Sequence, residues 1–303
     1  MIDITNKNNV LREATAQAII RVKSAKTIKA IKNNEVPKGN VFEISRAAGL
    51  LGVKKTSQLL PDCHPIPIES AQFDFKIIDL DIKVLCTIKT IYKTGVEVEA
   101  MHGASIVALN IYDMLKPIDK EIEIHQIKLI QKKGGKTDIY KLNSYVTASV
   151  IVCSDSISSG ENEDKAGKAI QKALQKWNVK VDDYHVIPDE IELIQKCLIS
   201  KQKKGYSLIV FTGGTGLSPR DVTPEAIQPL LDKTIPGIEE SMRSYGQNRT
   251  PYAMLSRSVV GMIESTLVLA LPGSSKGALE SLNAIFPAVL HLFDIIKGAK
   301  HYK

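Results

Sequence analysis

Apolar residues recur along this chain at two periods, and the way those periods alternate divides it in two. Residues 12–29 carry Ala14, Ala18, Ile19, Val22 and Ala25 at the spacing of one helical stripe, which predicts a helix. Residues 41–53 predict a second helix, with Ala47, Ala48 and Gly49 small enough for close packing. Residues 73–90 alternate and are rich in Ile, Val and Thr, as strands are. Helical spacing returns over 97–115 through Ala100, Ala104, Val107, Ala108, Ile111 and Leu115, and 121–132 predicts a closing strand. The first part therefore reads as α+β.

After a turn-rich tail, Lys132-Lys133-Gly134-Gly135-Lys136-Thr137, the pattern changes. Strands are expected at 149–153, 180–187, 207–211 and 265–271. Helices are expected at 165–177 and 189–201, with a long one at 277–297. Regular strand–helix alternation predicts parallel strands covered by helices, a three-layer α/β domain, with ligands at the carboxyl ends of the strands. The break falls near Leu142-Asn143-Ser144, giving domains 1–143 and 144–303. No repeat of fixed period is present.

Composition narrows the class. At 303 residues the chain is long enough for two ordinary domains, and 44% hydrophobic with 24% charged residues is globular. No run of about 18 uncharged apolar residues occurs, and the first residues lack the layout of a secretory signal, so neither a membrane span nor export is expected. Cys63, Cys86, Cys153 and Cys197 are far apart and form no CxxC, which favours reduced thiols and a cytoplasmic enzyme. The net charge is +7. No basic helix, zinc finger or aromatic-rich RNA-binding pattern accompanies it, so the excess points to phosphorylated small molecules rather than a specific nucleic acid.

Reactive groups in the first part concentrate in KGNVF (38–42), PDCHP (61–65), KTGVEVEAM (93–101), IYDMLK (111–116) and KKGGK (132–136). Singly, each has a structural reading: a solvated turn, a capped loop, or a surface pair three residues apart on a helix. Together they supply proton carriers beside several lysines, and a lysine near other cations is expected to have a lowered pKa. Gly134 and Gly135 let backbone N–H groups approach an anion.

In order and spacing, this set resembles the cyclic pyranopterin monophosphate synthase (MoaC) family, over residues 1 to about 137. The resemblance implies a ferredoxin-like α+β fold and hexamers with sites at subunit interfaces. It implies conversion of a cyclic dihydro-GTP to cyclic pyranopterin monophosphate with release of pyrophosphate, and no cofactor. By position, it makes Asp113 the catalytic acid/base and Lys116 its partner. Lys38, Lys132 and Lys136 become catalytic or triphosphate-binding lysines. Asp62, Cys63, His64, Glu97, Val98 and Glu99 fall at substrate contacts. Two residues depart from the pattern: Asn40 stands where Asp is frequent, and Asp62 where an apolar residue is common. Asp62 places a negative charge near a polyanionic substrate.

The second part centres on TGGTGLSPRDVTPEA (212–226), directly after a buried strand. It lacks the Lys-Ser/Thr of a P-loop and is not a GxGxxG loop. With VCSD, SSG, IPDE, IPG, LSR and LPGS in order, it resembles the MoaB/Mog molybdopterin-binding family over 144–299. This implies Asp155, Asp189, Gly213, Gly214, Thr215, Gly216, Asp221 and Ser274 as pterin- or nucleotide-binding residues, with Lys276 a further phosphate contact. Active members adenylylate molybdopterin from ATP with Mg²⁺, and Asp189 and Asp221 match the two aspartates important there. Two carboxylates facing a triphosphate suit Mg²⁺. The resemblance also admits a domain that only binds pterin or organises an oligomer; retention of both aspartates favours transfer. The expected partners are phosphorylated pterins and nucleotides and further copies of the chain, in a hexamer, with no membrane.

Overall fold

The computed structural model describes residues 1–135 and 145–298. The chain divides into two compact units, Met1–Ile139 and Tyr140–Lys303. The expected boundary at 143/144 and the candidate Lys136 lie outside the described residues.

The first unit runs β1 (Val10–Arg21), α1 (Ala25–Lys32), α2 (Val41–Lys54), the single turn α3 (Thr56–Leu59), β2 (Ser70–Ile78), β3 (Asp81–Tyr92), α4 (Glu97–Leu115) and β4 (Glu123–Lys133). Its four strands pair antiparallel throughout, in the order β2-β3-β1-β4. Helices α2 and α4 cover one face, where Val53, Ala104 and Val107 join Ala16, Ala18, Val84 and Cys86 in one core. The two helices approach at glycines: a Cβ on Gly49 would lie 2.5 Å from Val107, and one on Gly103 2.6 Å from Val53. Any larger residue would overpack this crossing.

One expected element is corrected. Residues 12–29 are not a helix but strand β1 followed by the start of α1. The same stretch also fits a period of two, and Ala14, Ala16, Ala18 and Ile20 are at most 1% exposed. Alanine's helix preference amounts to well under about 1 kcal/mol per residue. Hydrogen bonding to β3 on one side and β4 on the other outweighs it, and the alanines keep the central strand thin beneath α4.

The second unit runs β5 (Thr147–Cys153), the turn α5 (Asp155–Ser158), α6 (Ala166–Gln175), β6 (Lys180–Ile187), α7 (Ile191–Lys203), β7 (Leu208–Thr212), α8 (Thr223–Ile227), β8 (Lys233–Thr234), α9 (Pro236–Gln247), β9 (Val259–Ile263), β10 (Thr266–Leu271), α10 (Ser275–Ile285) and α11 (His291–Ile296). Sheet order is β6-β5-β7-β10-β9-β8. Strands β6, β5, β7 and β10 are parallel, while β9 pairs antiparallel with both β10 and β8. The sheet is thus mixed, not wholly parallel. Its edge escaped the sequence because β8 has two residues and β9 five, one of them Gly261. Apolar residues of α6, α9, α10 and α11 pack on one face and those of α7 and α8 on the other, giving three layers.

The helix expected over 277–297 is broken. Phe286 is extended, with φ −89 and ψ 146, ahead of Pro287, which cannot continue a helix. Among the described residues, no single helix is long and apolar enough to cross a membrane.

Candidate functional site

In the first unit the candidate residues fall into two groups at opposite ends of α4. Asp113 lies near its C-terminus. Its carboxylate accepts from Lys38 Nζ at 2.6 Å and from Lys116 Nζ at 2.7 Å, and Lys38 also donates to the Asp113 carbonyl at 2.9 Å. Lys116 and Lys38 together hold the Asp113 carboxyl down at about 2, so it is ionised at every physiological pH. The Lys116 ammonium is held above its usual range by Asp113. That corrects the expectation of a lowered lysine pKa: the lysines bracket an anion instead of one another. Lys38 precedes Asn40, whose side chain caps α2 by accepting from the Phe42 and Glu43 amides. Asp and Asn cap equally well, so the departure at this position changes nothing in the backbone that carries Lys38.

The second group gathers at the first turn of α4. Glu97 pairs with Lys132 of β4 at 3.4 Å. Glu99 is 3% exposed, and burial pushes its carboxyl up. The Cys63 thiol is raised by burial and then by the Glu99 charge. His64 Nε2 donates to the Ile2 carbonyl at 2.9 Å, and Asp62 pairs with the Met1 amino group at 3.0 Å. Val98 is exposed. Residues 97 and 113 are separated along α4 by about 24 Å at 1.5 Å per residue. One copy of the chain therefore holds these candidates as two separate groups, at opposite ends of α4.

In the second unit the candidates converge at the carboxyl ends of β5, β6, β7 and β10. The loop after β7 is wedged where no side chain fits: a Cβ on Gly213 would lie 2.1 Å from the Cys153 carbonyl. Gly214, with φ +59, faces Asp189 Oδ1 and Thr223 Oγ1, and both of those atoms are buried without a hydrogen-bond partner. Asp189 takes its place through its amide, which donates to Asp155 Oδ1 at 3.1 Å. Burial, then the charges of Asp155 and Asp221, push the Asp189 carboxyl up to about 6. Arg220 pairs with Asp155 across the group. The Asp221 carboxylate accepts from the Ser218 amide at 2.9 Å, closing the loop on itself. Among the described residues, no three carboxylate, histidine or cysteine side chains are arranged to hold a metal by themselves.

Beside these lies a cleft of about 470 Å³, lined by Gly214, Thr215, Gly216, Asp221 and Ser274 together with residues the sequence reading missed: Met242, Arg243, Tyr252, Glu280 and Ser281. Ser274 also caps α10 by accepting from the Gly277 amide at 3.2 Å. Lys276 is 78% exposed and does not line the cleft. Arg243 went unseen because 236–247 had no assigned element. Ser281 could have been found, since it lies two turns from Ser274 on the same helical face, whereas Glu280 joins the cleft only through the packing of α9 on α10.

Arg257, quoted only as part of LSR, holds the loop's shape. Its Nε donates to the Gly216 carbonyl and its Nη2 to the Asp221 carbonyl, both at 2.7 Å, while Glu225 pairs with its Nη1. A lysine cannot span two carbonyls in this way. Arg257→Lys is expected to raise amide hydrogen exchange across 214–218 by about tenfold, the scale of one lost charge-assisted bond, with β7 unchanged. Exchange mass spectrometry showing no change in 214–218 would refute the clamp.

The comparisons with known proteins match this division. The MoaC family model covers residues 1–135, and a model described as a probable molybdopterin binding domain covers 149–291. A molybdenum cofactor biosynthesis bifunctional protein of Chlorobaculum tepidum is 37% identical over 301 residues, spanning 99% of this chain and 96% of that protein. A probable cyclic pyranopterin monophosphate synthase of Archaeoglobus fulgidus is 46% identical over 144 residues, 45% of this chain and 92% of its own length. A solved MoaB structure from Thermus thermophilus covers 52% of this chain and 99% of its own, at 41% identity and a TM-score of 0.48. With a relative of that identity along nearly its whole length, the chain belongs to the family of bifunctional molybdenum cofactor biosynthesis proteins, a MoaC unit followed by a molybdopterin-binding unit.

Proposed function

We propose that the first unit converts a cyclic dihydro-GTP to cyclic pyranopterin monophosphate and pyrophosphate. We propose further that the second, divided from it near 143/144, binds molybdopterin and adenylylates it from ATP. For the first reaction the supporting observation is the Lys38–Asp113–Lys116 triad. The reaction opens one ring, builds another and closes a cyclic phosphate, so it needs proton donors, proton acceptors and charge stabilisation for a leaving pyrophosphate. Ionised Asp113 accepts a proton, and the protonated Lys116 supplies one or stabilises the departing phosphate oxygens. Lys116 and, after it, Lys38 keep Asp113 ionised. Lys132 and Glu97, with His64, Cys63 and Glu99, provide the substrate-holding half. The antiparallel strand order and the β-α-β-β-α-β layout, counting the helices that cover the sheet, support a ferredoxin-like reading of this unit.

Because the two halves lie at opposite ends of α4, a complete site calls for a second copy, with Asp113 of one chain meeting Glu97 and Lys132 of another. A hexamer with three-fold symmetry satisfies this in a closed assembly. Lys116→Ala and Glu97→Gln are each expected to be inactive alone. Subunit exchange between them should restore about a quarter of the sites, those in which both contributing chains carry intact halves. Light scattering that gives a monomer, or mixtures that stay inactive after exchange, would refute the shared site.

For the second unit the supporting observation is Asp189. A buried carboxylate oxygen without a donor, against the Gly214 backbone and near the Asp221 charge, fits a divalent cation brought in with a nucleotide. Asp189 and Asp221 would hold Mg²⁺, which would neutralise charge as pyrophosphate leaves. The Gly213–Gly216 backbone and Ser274 bind phosphate, and Arg257 keeps Asp221 and Gly216 in place.

A further inference from the structure

We propose that Glu280 selects the aminopyrimidinone edge of a pterin in the cleft of the second unit, an assignment that rests on the pterin-binding reading above. The cleft has two chemically distinct ends. At the strand ends, glycine amides and Ser274 suit an anion. From there one wall follows α10, where Ser274, Gly277, Glu280 and Ser281 line the cleft at helical spacing. Glu280 lies about 9 Å along the axis from Ser274 at 1.5 Å per residue. That is of the order of the span from a phosphate to the far edge of a pterin carrying a phosphorylated arm.

The far end carries paired polarity. The Glu280 side chain is 18% exposed, and its ion-pair partner is Lys276, at 4.0 Å and itself 78% exposed. A carboxylate so enclosed is poorly compensated until N–H donors arrive. Arg243, from α9, lines the same cleft. Glu239 anchors it at 3.4 Å and also accepts from the Val260 amide at 2.9 Å. A pterin presents two adjacent donors, N3–H and the exocyclic amine, with a carbonyl beside them. The two Glu280 oxygens accept the pair in parallel, and Arg243 donates to the carbonyl. A lumazine has a carbonyl where the pterin has its amine, so it turns an acceptor toward the carboxylate and is rejected.

Isothermal titration of the full chain tests this with two probes, 6-hydroxymethylpterin phosphate and the lumazine bearing the same side chain. The wild type should bind the pterin at least about tenfold tighter, the scale of one charge-assisted hydrogen bond. Glu280→Gln, whose amide both donates and accepts, and Glu280→Ala should bind the two probes within about twofold of each other, with unchanged thermal melting. Variants that keep the wild-type preference would overturn the assignment to Glu280. Failure of the wild type to bind either probe would overturn the pterin reading and this assignment with it.

Discussion

Replacing Lys116 by alanine is expected to slow cyclic pyranopterin monophosphate formation by at least about a hundredfold, the usual scale for a group that moves a proton in the rate-limiting step. The Lys116 and Asp113 side chains are each about half exposed, so the loss of their pair leaves the fold intact. The substitution has a second signature. Lys116 is the larger of the two influences holding Asp113 at about 2, so the Asp113 carboxyl should climb toward its ordinary value while Lys38 still holds part of the shift. A folded pKa below the ordinary one means that this pairing favours the fold above the usual carboxylate range, and that the benefit fades as the pH falls toward about 2. Carbon-13 titration of the Asp113 carboxyl, together with pyrophosphate release from the cyclic dihydro-GTP, measures both. A folded Lys116→Ala protein that keeps more than a tenth of wild-type turnover would remove Lys116 from the chemistry.

Asp189→Asn should abolish Mg²⁺-dependent adenylyl transfer and leave the first reaction within about a factor of three, because distant independent sites behave additively. It should also raise the melting temperature near neutral pH by a few degrees. Burial and two neighbouring carboxylates push the Asp189 carboxyl up to about 6, so the fold disfavours its charged form. In an acid with a raised pKa, stability is greatest while it is protonated and declines as the pH rises toward about 6. Without metal, wild-type melting should therefore fall between about pH 4 and 6, the window between the ordinary carboxyl value of 3.8 and the raised one, and level off above it, and the asparagine variant should lose most of that slope. Activity lost with stability gained marks a residue kept for ligand. Thermal melts against pH and both activity assays decide it: an Asp189→Asn protein that transfers adenylyl groups, or melts lower than wild type at neutral pH, would refute the role.

Much of the molecule could be read from local order. Residues 97–115 form the expected helix, 41–53 fall within α2, and the strands that deliver Cys153, Ile187 and Leu271 to the ligand side lie where alternation predicted. Such elements announce themselves because each buries one face on its own period. The motifs gave the side-chain chemistry for the same reason: residue type and spacing are properties of the chain.

What the sequence left undecided depended on partners far away in it. The alanines of β1 satisfy both a helical period and a strand period, and only pairing with β3 and β4 on either side selects the strand. The charges of Lys38, Asp113 and Lys116 were legible, and the Asp113–Lys116 pair that raises the Lys116 ammonium is local to one helix end, but only the fold brings Lys38, 75 residues away, to the same carboxylate. Similarly, Arg257 reads as an ordinary surface residue until the fold brings it to the carbonyls of Gly216 and Asp221, and Glu280 becomes a cleft carboxylate only because α9 packs against α10. The sequence by itself determined which groups are present and which local elements carry them. Tertiary structure decided which groups meet, because burial and hydrogen-bond partners are set by contacts between segments that no local period encodes.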